Sequence, residues 1–331
     1  MRTLHAYARS DPSRVAFEHG PRPTLRPGDV LVRVHASGVS PGELDWPTAW
    51  LHHDGTPRTP PIVPGHEVAG VVDAVAPAVT GLAIGDEVFG FIDIRRDGAD
   101  AEYVAVRADE LAPKPATLTH AQAAAVPLSA LTAWQGLFDH GDLTTGEQVL
   151  VHGGAGGVGT FAVQLARWRG ARVVATASSR DADLVRGLGA EEVIDYRARR
   201  FEDVVADLDL VIDTVGGDTW ERSWGVLRRG GRLVSIAVPR PPDREDDDGR
   251  QATWFVVRPD RGQLMEIGGL IDAGLLRPIV SATLPLARGG EAYGPSGQPR
   301  GPGKAVLLVD DVSGNEAAAP PAPRPRPRTA G

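Results

Sequence analysis

The chain has 331 residues, 42% of them hydrophobic and 24% charged, with a formal charge of −8 and no cysteine. That length suits two domains better than one core, and the excess of acid argues against nucleic acid as a partner. Without cysteine there is no disulfide, no thiolate nucleophile and no cysteine-held zinc.

No apolar run nears the roughly 20 residues of a membrane span, so no membrane partner is expected. The opening Met1-Arg-Thr-Leu-His-Ala6 has no apolar stretch of the kind a secretory signal needs. A cytoplasmic location is the expectation.

In chain order, residues 1–115 are β-rich. Asp29-Val-Leu-Val-Arg-Val-His35 and Glu67-Val-Ala-Gly-Val-Val-Asp-Ala-Val75 alternate and are β-branched. Pro27-Gly28, Pro41-Gly42, Pro64-Gly65 and Gly85-Asp86 punctuate the strands, and such short strands predict a partly closed barrel. From about 118 the pattern becomes strand–helix alternation, which predicts a doubly wound parallel sheet. Its strands are expected at 148–152, 172–176, 192–195, 208–213 and 232–238, and its helices at 119–139, 158–169, 180–188, 198–206 and 218–228. A strand Thr253-Trp-Phe-Val-Val257, a helix over 260–273 and a returning strand Lys304-Ala-Val-Leu-Leu-Val309 follow. The acidic, proline-bearing stretch 239–249 is expected as a loop, either solvated or closing over a ligand. The Ala/Pro/Arg-rich stretch 313–331 predicts disorder.

Val149-Leu-Val-His152 runs straight into Gly153 and then Gly154, Ala155, Gly156, Gly157, Val158 and Gly159, a G-x-G-x-x-G that opens a helix. Glycine is needed there for the tight turn, for a pyrophosphate to approach the backbone, and for close strand–helix packing. The unpaired N–H groups and the positive end of the helix then hold the phosphates. The next strand ends in Ala177-Ser178-Ser179-Arg180, with no acid before Asp181. An acid at that strand end would favour NAD; two hydroxyls and a guanidinium suit the 2′-phosphate of NADP. NADPH is therefore the expected cofactor, with helix capping by the serines as the plain alternative.

Further strings are Gly38-Val-Ser-Pro41, Pro64-Gly-His-Glu-Val-Ala-Gly-Val72, Gly85-Asp-Glu-Val-Phe-Gly90, Ala125-Val-Pro127 with Leu131-Thr-Ala-Trp134, Leu188-Gly-Ala190, Val193-Ile-Asp-Tyr196, Asp213-Thr-Val-Gly-Gly217 and Gly303-Lys-Ala-Val-Leu307. In order and spacing they resemble the medium-chain dehydrogenase/reductase superfamily to about residue 310, and more narrowly its zinc-independent quinone oxidoreductase branch. The resemblance implies an α/β fold: a GroES-like, partly open β-barrel catalytic domain over 1–117 and 277–312, and a Rossmann NADP-binding domain over 118–276. It also implies Tyr196 near the adenosine phosphate, and Phe255 and Val257 along the nicotinamide.

Zinc alcohol dehydrogenases of this superfamily hold a catalytic metal on Cys, His and Cys. Those positions fall on Ser40, His66 and about Leu128, and one imidazole cannot replace three ligands, so no metal is expected. Ser40 stands where quinone reductases usually carry Asn, and Glu43 where they carry Asp. Ser40, Glu43 and His66 are the candidate catalytic groups, with Asp45, His52 and His53 as further donors and Trp46 and Trp50 as candidate walls for a flat substrate. Each also has a structural reading as core or solvated loop. No Tyr occupies 40–50, where some enoyl-thioester reductases of the superfamily carry a donor.

Without a metal to polarise a ketone, hydride addition to a conjugated acceptor is the easier chemistry. The expected activity is NADPH-dependent reduction of an activated C=C (enone or enoyl) or a quinone, a small-molecule substrate. Alternatives are a redox-neutral tailoring reaction on the same scaffold, or a non-catalytic NADPH-binding sensor. A homodimer is expected through Trp254-Phe-Val-Val257, taken as an edge strand.

Overall fold

The computed structural model describes residues 1–40, 42–237, 242–294 and 301–309. The expected disordered stretch 313–331 lies outside the described residues, as do 239–241 of the charged loop.

Valine-rich alternation produces the first half. β1 (Arg2–Ala6) and β2 (Val15–His19) form an antiparallel hairpin. β3 (Asp29–Val39), β4 (Glu67–Val75), β5 (Glu87–Phe91), β6 (Tyr103–Arg107) and β7 (Leu111–Pro113) follow. Val30, Val32, Val34, Val68 and Val72 are buried in a core of their own, which fixes the register of β3 on β4.

α1 (His120–Ala124) and α2 (Pro127–Trp134) lead into the second half. There β8 (Gln148–Val151), α3 (Gly157–Trp168), β9 (Arg172–Ala177), α4 (Ala182–Gly187), β10 (Glu192–Asp195), β11 (Leu208–Asp213), α5 (Asp218–Ser223), β12 (Leu227–Ser235), β13 (Arg244–Glu245) and β14 (Gln251–Trp254) alternate. α6 (Arg261–Asp272), β15 (Val280–Pro285), α7 (Gly289–Tyr293) and β16 (Lys304–Leu308) complete the described chain.

Two seven-stranded sheets result. One runs β15-β16-β3-β4-β5-β7, with β6 paired to β3. It draws its last two strands from the far end of the chain, as the returning strand predicts. The other runs β10-β9-β8-β11-β12-β14-β13 and is parallel except for β13 on β14. Its order reverses beside β8, the place where doubly wound sheets bind ligands.

Several expected elements differ. The helix expected over 119–139 breaks at Pro127, which starts α2, and ends as a π-helical turn over Gln135–Asp139. The helix expected over 198–206 is one 3-10 turn, Phe201–Asp203. The strand expected at 253–257 sits at Gln251–Trp254, the residues that pair with β12, and β13 adds to Gln251 and Ala252 on its outer side. That hairpin is made from the charged loop, and Arg244 pins it by lying 4.3 Å over the Trp224 ring. Of the Trp254–Val257 stretch expected as a dimer edge, only Trp254 lies in a strand.

Candidate active site

The glycine turn forms where β8 hands over to α3. Gly153 takes the left-handed conformation (φ 71°), so the tight turn depends on it rather than on Gly154 as the motif predicts. Gly154 is needed for closeness: a Cβ there would sit 2.9 Å from the Ala175 methyl on β9. At Gly159 a Cβ would fall 2.1 Å from the Gly153 carbonyl oxygen, so only glycine lets the helix start this close to its strand. Gly156 caps α3 and is exposed, with Ala155, Gly157 and Val158 half-buried beside it. The first N–H groups of α3 have no intrahelical acceptor. This cradle, which side chains would fill, fits a dinucleotide pyrophosphate.

Two connections unseen in the sequence hold the turn. The Gly153 N–H donates to Thr176 Oγ1 at 3.1 Å, and buried His152 places Nδ1 3.3 Å from that hydroxyl and Nε2 2.9 Å from Ser223 Oγ. Burial lowers the His152 pKa to about 4, so the ring is a neutral strut. From the other sheet, the Gly303 N–H donates to the Ala155 carbonyl at 2.9 Å. A Cβ on Gly303 would meet the Ile279 carbonyl at 2.0 Å.

At the end of β9, Ser178 Oγ donates to Asp181 Oδ2 at 2.6 Å and Arg180 Nε to the same oxygen at 3.2 Å. Ser179 and Arg180 are exposed. The Tyr196 N–H reaches the Ala177 carbonyl at 3.4 Å, which brings the backbone of this exposed residue to the same strand end. The four expected adenosine-side residues are thus neighbours, with Asp181 among them.

Phe255 is buried, its ring stacked 4.4 Å from His140 and bedded on Gly136, while Val257 is half-buried. The π-helical turn supplies Gln135, which sequence reasoning missed. Its amide donates to the Arg258 carbonyl at 2.9 Å and accepts the Arg258 N–H at 3.1 Å, clamping the chain just past Val257. Only the unusual Trp-Gln-Gly continuation of the helix pattern hints at it.

Of the three candidate catalytic groups, only Ser40 keeps solvent contact. Glu43 Oε1 accepts both the Gly65 N–H at 2.6 Å and His66 Nδ1 at 2.8 Å, and His66 Nε2 faces the Arg96 carbonyl at 3.2 Å. An imidazole between two acceptors donates from both nitrogens only as the cation. Burial opposes that charge, but the Glu43 carboxylate outweighs it and the His66 pKa is raised. The pair is sealed and holds the Pro64–Glu67 turn. Asp45, His52 and His53 are exposed, and Trp46 and Trp50 half-buried.

Ser40 joins another array. Lys304 Nζ donates to Ser40 Oγ at 3.1 Å and pairs with Glu67 Oε2, while Glu67 Oε1 accepts the Leu128 N–H at 3.0 Å. Lys304 and Glu67 are 6% and 1% exposed, so the pair is shielded from solvent screening. Burial raises the Glu67 pKa against the pull of Lys304 and Leu128. Lys304 and Glu67 stand inside quoted strings, but neither position signals a role by itself.

A zinc ion does not fit these residues. Ser40 is bound by an ammonium, His66 has no lone pair free, and Leu128 offers no side-chain donor. Among the described residues no cluster of three metal-ligating side chains exists.

Residues 26–116 match the family described as alcohol dehydrogenase GroES-like domain, and 188–307 that described as zinc-binding dehydrogenase. A probable zinc-binding mitochondrial oxidoreductase of Arthroderma benhamiae is 33% identical over 308 residues, 87% of this chain and 91% of its own. The chloroplastic NADPH-dependent alkenal/one oxidoreductase of Arabidopsis thaliana is 34% identical over 283 residues, covering 82% and 69%. The quinone oxidoreductase of Coxiella burnetii superposes with a TM-score of 0.83 at 28% identity, covering 94% and 99%.

Proposed function

The chain belongs to the medium-chain dehydrogenase/reductase superfamily, in its zinc-independent quinone oxidoreductase-like branch, and from that membership we propose an NADPH-dependent reductase of an enone, enoyl or quinone acceptor. One observation carries the reading. An intact dinucleotide cradle lies directly against a reacting end whose donor set, Ser40 with Lys304, can bond an oxyanion and cannot ligate zinc. The names of the Arabidopsis and Coxiella relatives support the acceptor class.

NADPH, when bound, supplies the hydride. Gly154, Ala155, Gly156, Gly157, Val158 and Gly159 would hold its pyrophosphate, Ser178, Ser179, Arg180 and Tyr196 its adenosine phosphate, and Phe255 and Val257 its nicotinamide end. Gln135 fixes the course of that last segment. Ser40 is the candidate substrate contact; Glu43 and His66 act as its scaffold. Orientation and hydrogen bonding to developing charge are the chain's contribution. A cytoplasmic homodimer belongs to the same proposal, and a concentration-independent monomer mass in sedimentation would remove the dimer. Among the described residues no helix is long and apolar enough to cross a membrane.

The test is NADPH consumption with a panel of enones, enoyl thioesters, quinones and saturated ketones. Turnover of conjugated acceptors but not saturated ketones is expected. Tight NADPH binding with no oxidation by any conjugated acceptor would sink the reading.

A further inference from the structure

The Ser40–Lys304–Glu67 array follows from strand register. β3 lies between β16 and β4, with Ala305 opposite Val39 and Glu67 opposite Gly38. Continuing the first ladder by one residue sets Lys304 opposite Ser40. Residues 38 and 40 share one face of β3, and residue 38 has no side chain. A Cβ there would stand 2.9 Å from Glu67 Oε2, the oxygen that Lys304 pairs with. Gly38 thus leaves room both for the Ala124 carbonyl of α1, 2.4 Å from where its Cβ would stand, and for lysine and glutamate to meet across β3.

An ammonium only donates, and a serine hydroxyl has one proton. With Lys304 donating to Ser40 Oγ, the Ser40 proton must point elsewhere, and among the described residues no acceptor takes it. Half-buried Ser40 therefore presents an O–H outward, polarised by a cation behind it. Glu67 fixes that cation, and Glu67 is itself held by the N–H of Leu128 near the start of α2.

We propose that Lys304, anchored by Glu67, is a positioning residue that turns Ser40 into the donor for an oxyanion. This rests on the reductase reading above. As hydride adds to the β-carbon of an enone, the π pair moves to the carbonyl oxygen, where Ser40 O–H donates. The α-carbon then takes its proton from water. For a quinone the same bond serves the phenolate oxygen. Lys304 never touches substrate.

The test is binding of 4-nitrophenol, an unreactive oxyanion mimic, to the NADP⁺-saturated protein below the phenol's solution pKa, read as phenolate absorbance. The wild type should bind the phenolate, and Ser40→Ala should bind it about tenfold more weakly. Lys304→Met with Glu67→Gln, which removes both buried charges together, should lose the same factor. Adding Ser40→Ala to that pair should cost nothing more. Lys304→Arg keeps the charge against Glu67 but moves the donors off Ser40, so it should lose most of the binding at an unchanged melting temperature. It serves if the paired variant does not fold. Cofactor affinity should hold throughout. Wild-type phenolate binding in the charge-free pair or in Lys304→Arg, multiplying losses in the triple variant, or no phenolate binding by the wild type would each overturn the inference. Should the phenolate results hold while no conjugated acceptor is turned over, the oxyanion site stands and the acceptor class falls.

Discussion

The two ends of this site are assembled in opposite ways. The nucleotide end is one contiguous turn, Gly153–Gly159, whose shape is backbone geometry and the absence of side chains. The proposed reacting end is gathered from the residue after β3 and from β4, α2 and β16, and its central hydrogen bond joins residues 264 positions apart. A contiguous site tolerates change everywhere except at its close contacts. A gathered one depends on registers and on buried charges that must stay balanced.

That contrast breaks most clearly at Lys304. Replacing it alone by Met strands the Glu67 carboxylate in a buried setting, at a cost of about 3–5 kcal/mol in chemical denaturation. Adding Glu67→Gln should recover most of the loss, since a neutral pair has no charge to strand. If Lys304→Met unfolds like the wild type, buried charge does not hold the junction.

At the contiguous end the effect is smaller and confined to chosen positions. Gly159→Ala puts a methyl 2.1 Å from the Gly153 oxygen, so strand and helix must part. A stability loss on the order of 1–3 kcal/mol is expected, with much weaker NADPH binding by nicotinamide fluorescence. Gly157→Ala meets nothing closer than Ser129 Oγ at 3.2 Å and should keep most of the binding. Equal losses in the two variants would mean the turn works by flexibility rather than by contact.

Beneath the reacting end, Asp100 is buried and accepts the Tyr293 hydroxyl at 2.6 Å. Burial, then the Glu43 charge, raises its pKa to about 7, and burial does the same for Glu110. Both are raised above their unfolded values, so the folded state keeps protons that the unfolded chain releases. Their contribution is full below about pH 4 and is lost as pH rises through about 7. His66, raised as well, slopes the same way. His152 and His120, both lowered to about 4 by burial, slope the other way up to the ordinary histidine pKa of about 6.5, so the melting temperature should fall from pH 6.5 to 8, and Asp100→Asn should flatten part of the fall. An unchanged slope in that variant would rule Asp100 out as its source.

What could be read from the sequence divides along the same line. Strand periodicity, the parallel order of the second half and the glycine turn depend on neighbours, so local pattern carries them. Within the turn, the glycine bearing the positive φ lies one residue before the motif's first glycine, because G-x-G-x-x-G does not distinguish Gly153 from Gly154. Ser40 was visible as a position, whereas its partners were not. Lys304 meets Glu67 only through two strand registers and a glycine between them, and no spacing along the chain encodes that. Gln135 was hidden because a π-turn looks like helix in a periodicity window. The structural reading of His66 gains a second acceptor, the Arg96 carbonyl, a backbone group that no motif records.

The smallest expected effect lies at the adenosine end, where the contiguous site itself divides. Arg180 is 61% exposed and already shares Asp181 with Ser178, so its gain from a 2′-phosphate is screened. Arg180→Ala should weaken NADPH binding about tenfold, roughly 1.4 kcal/mol, and leave NADH unchanged. Asp181→Asn should act the other way: it removes the carboxylate that occupies both donors and would repel the phosphate, so NADPH binding should tighten a few-fold. The sign of the second variant decides more than the size of the first. If Asp181→Asn weakens NADPH, the acid is orienting Ser178 and Arg180 toward the phosphate, and the strand end was arranged before any ligand arrived. If it strengthens NADPH, the cofactor must displace Asp181 to bind, and preference is set by a competition between two anions for the same two donors.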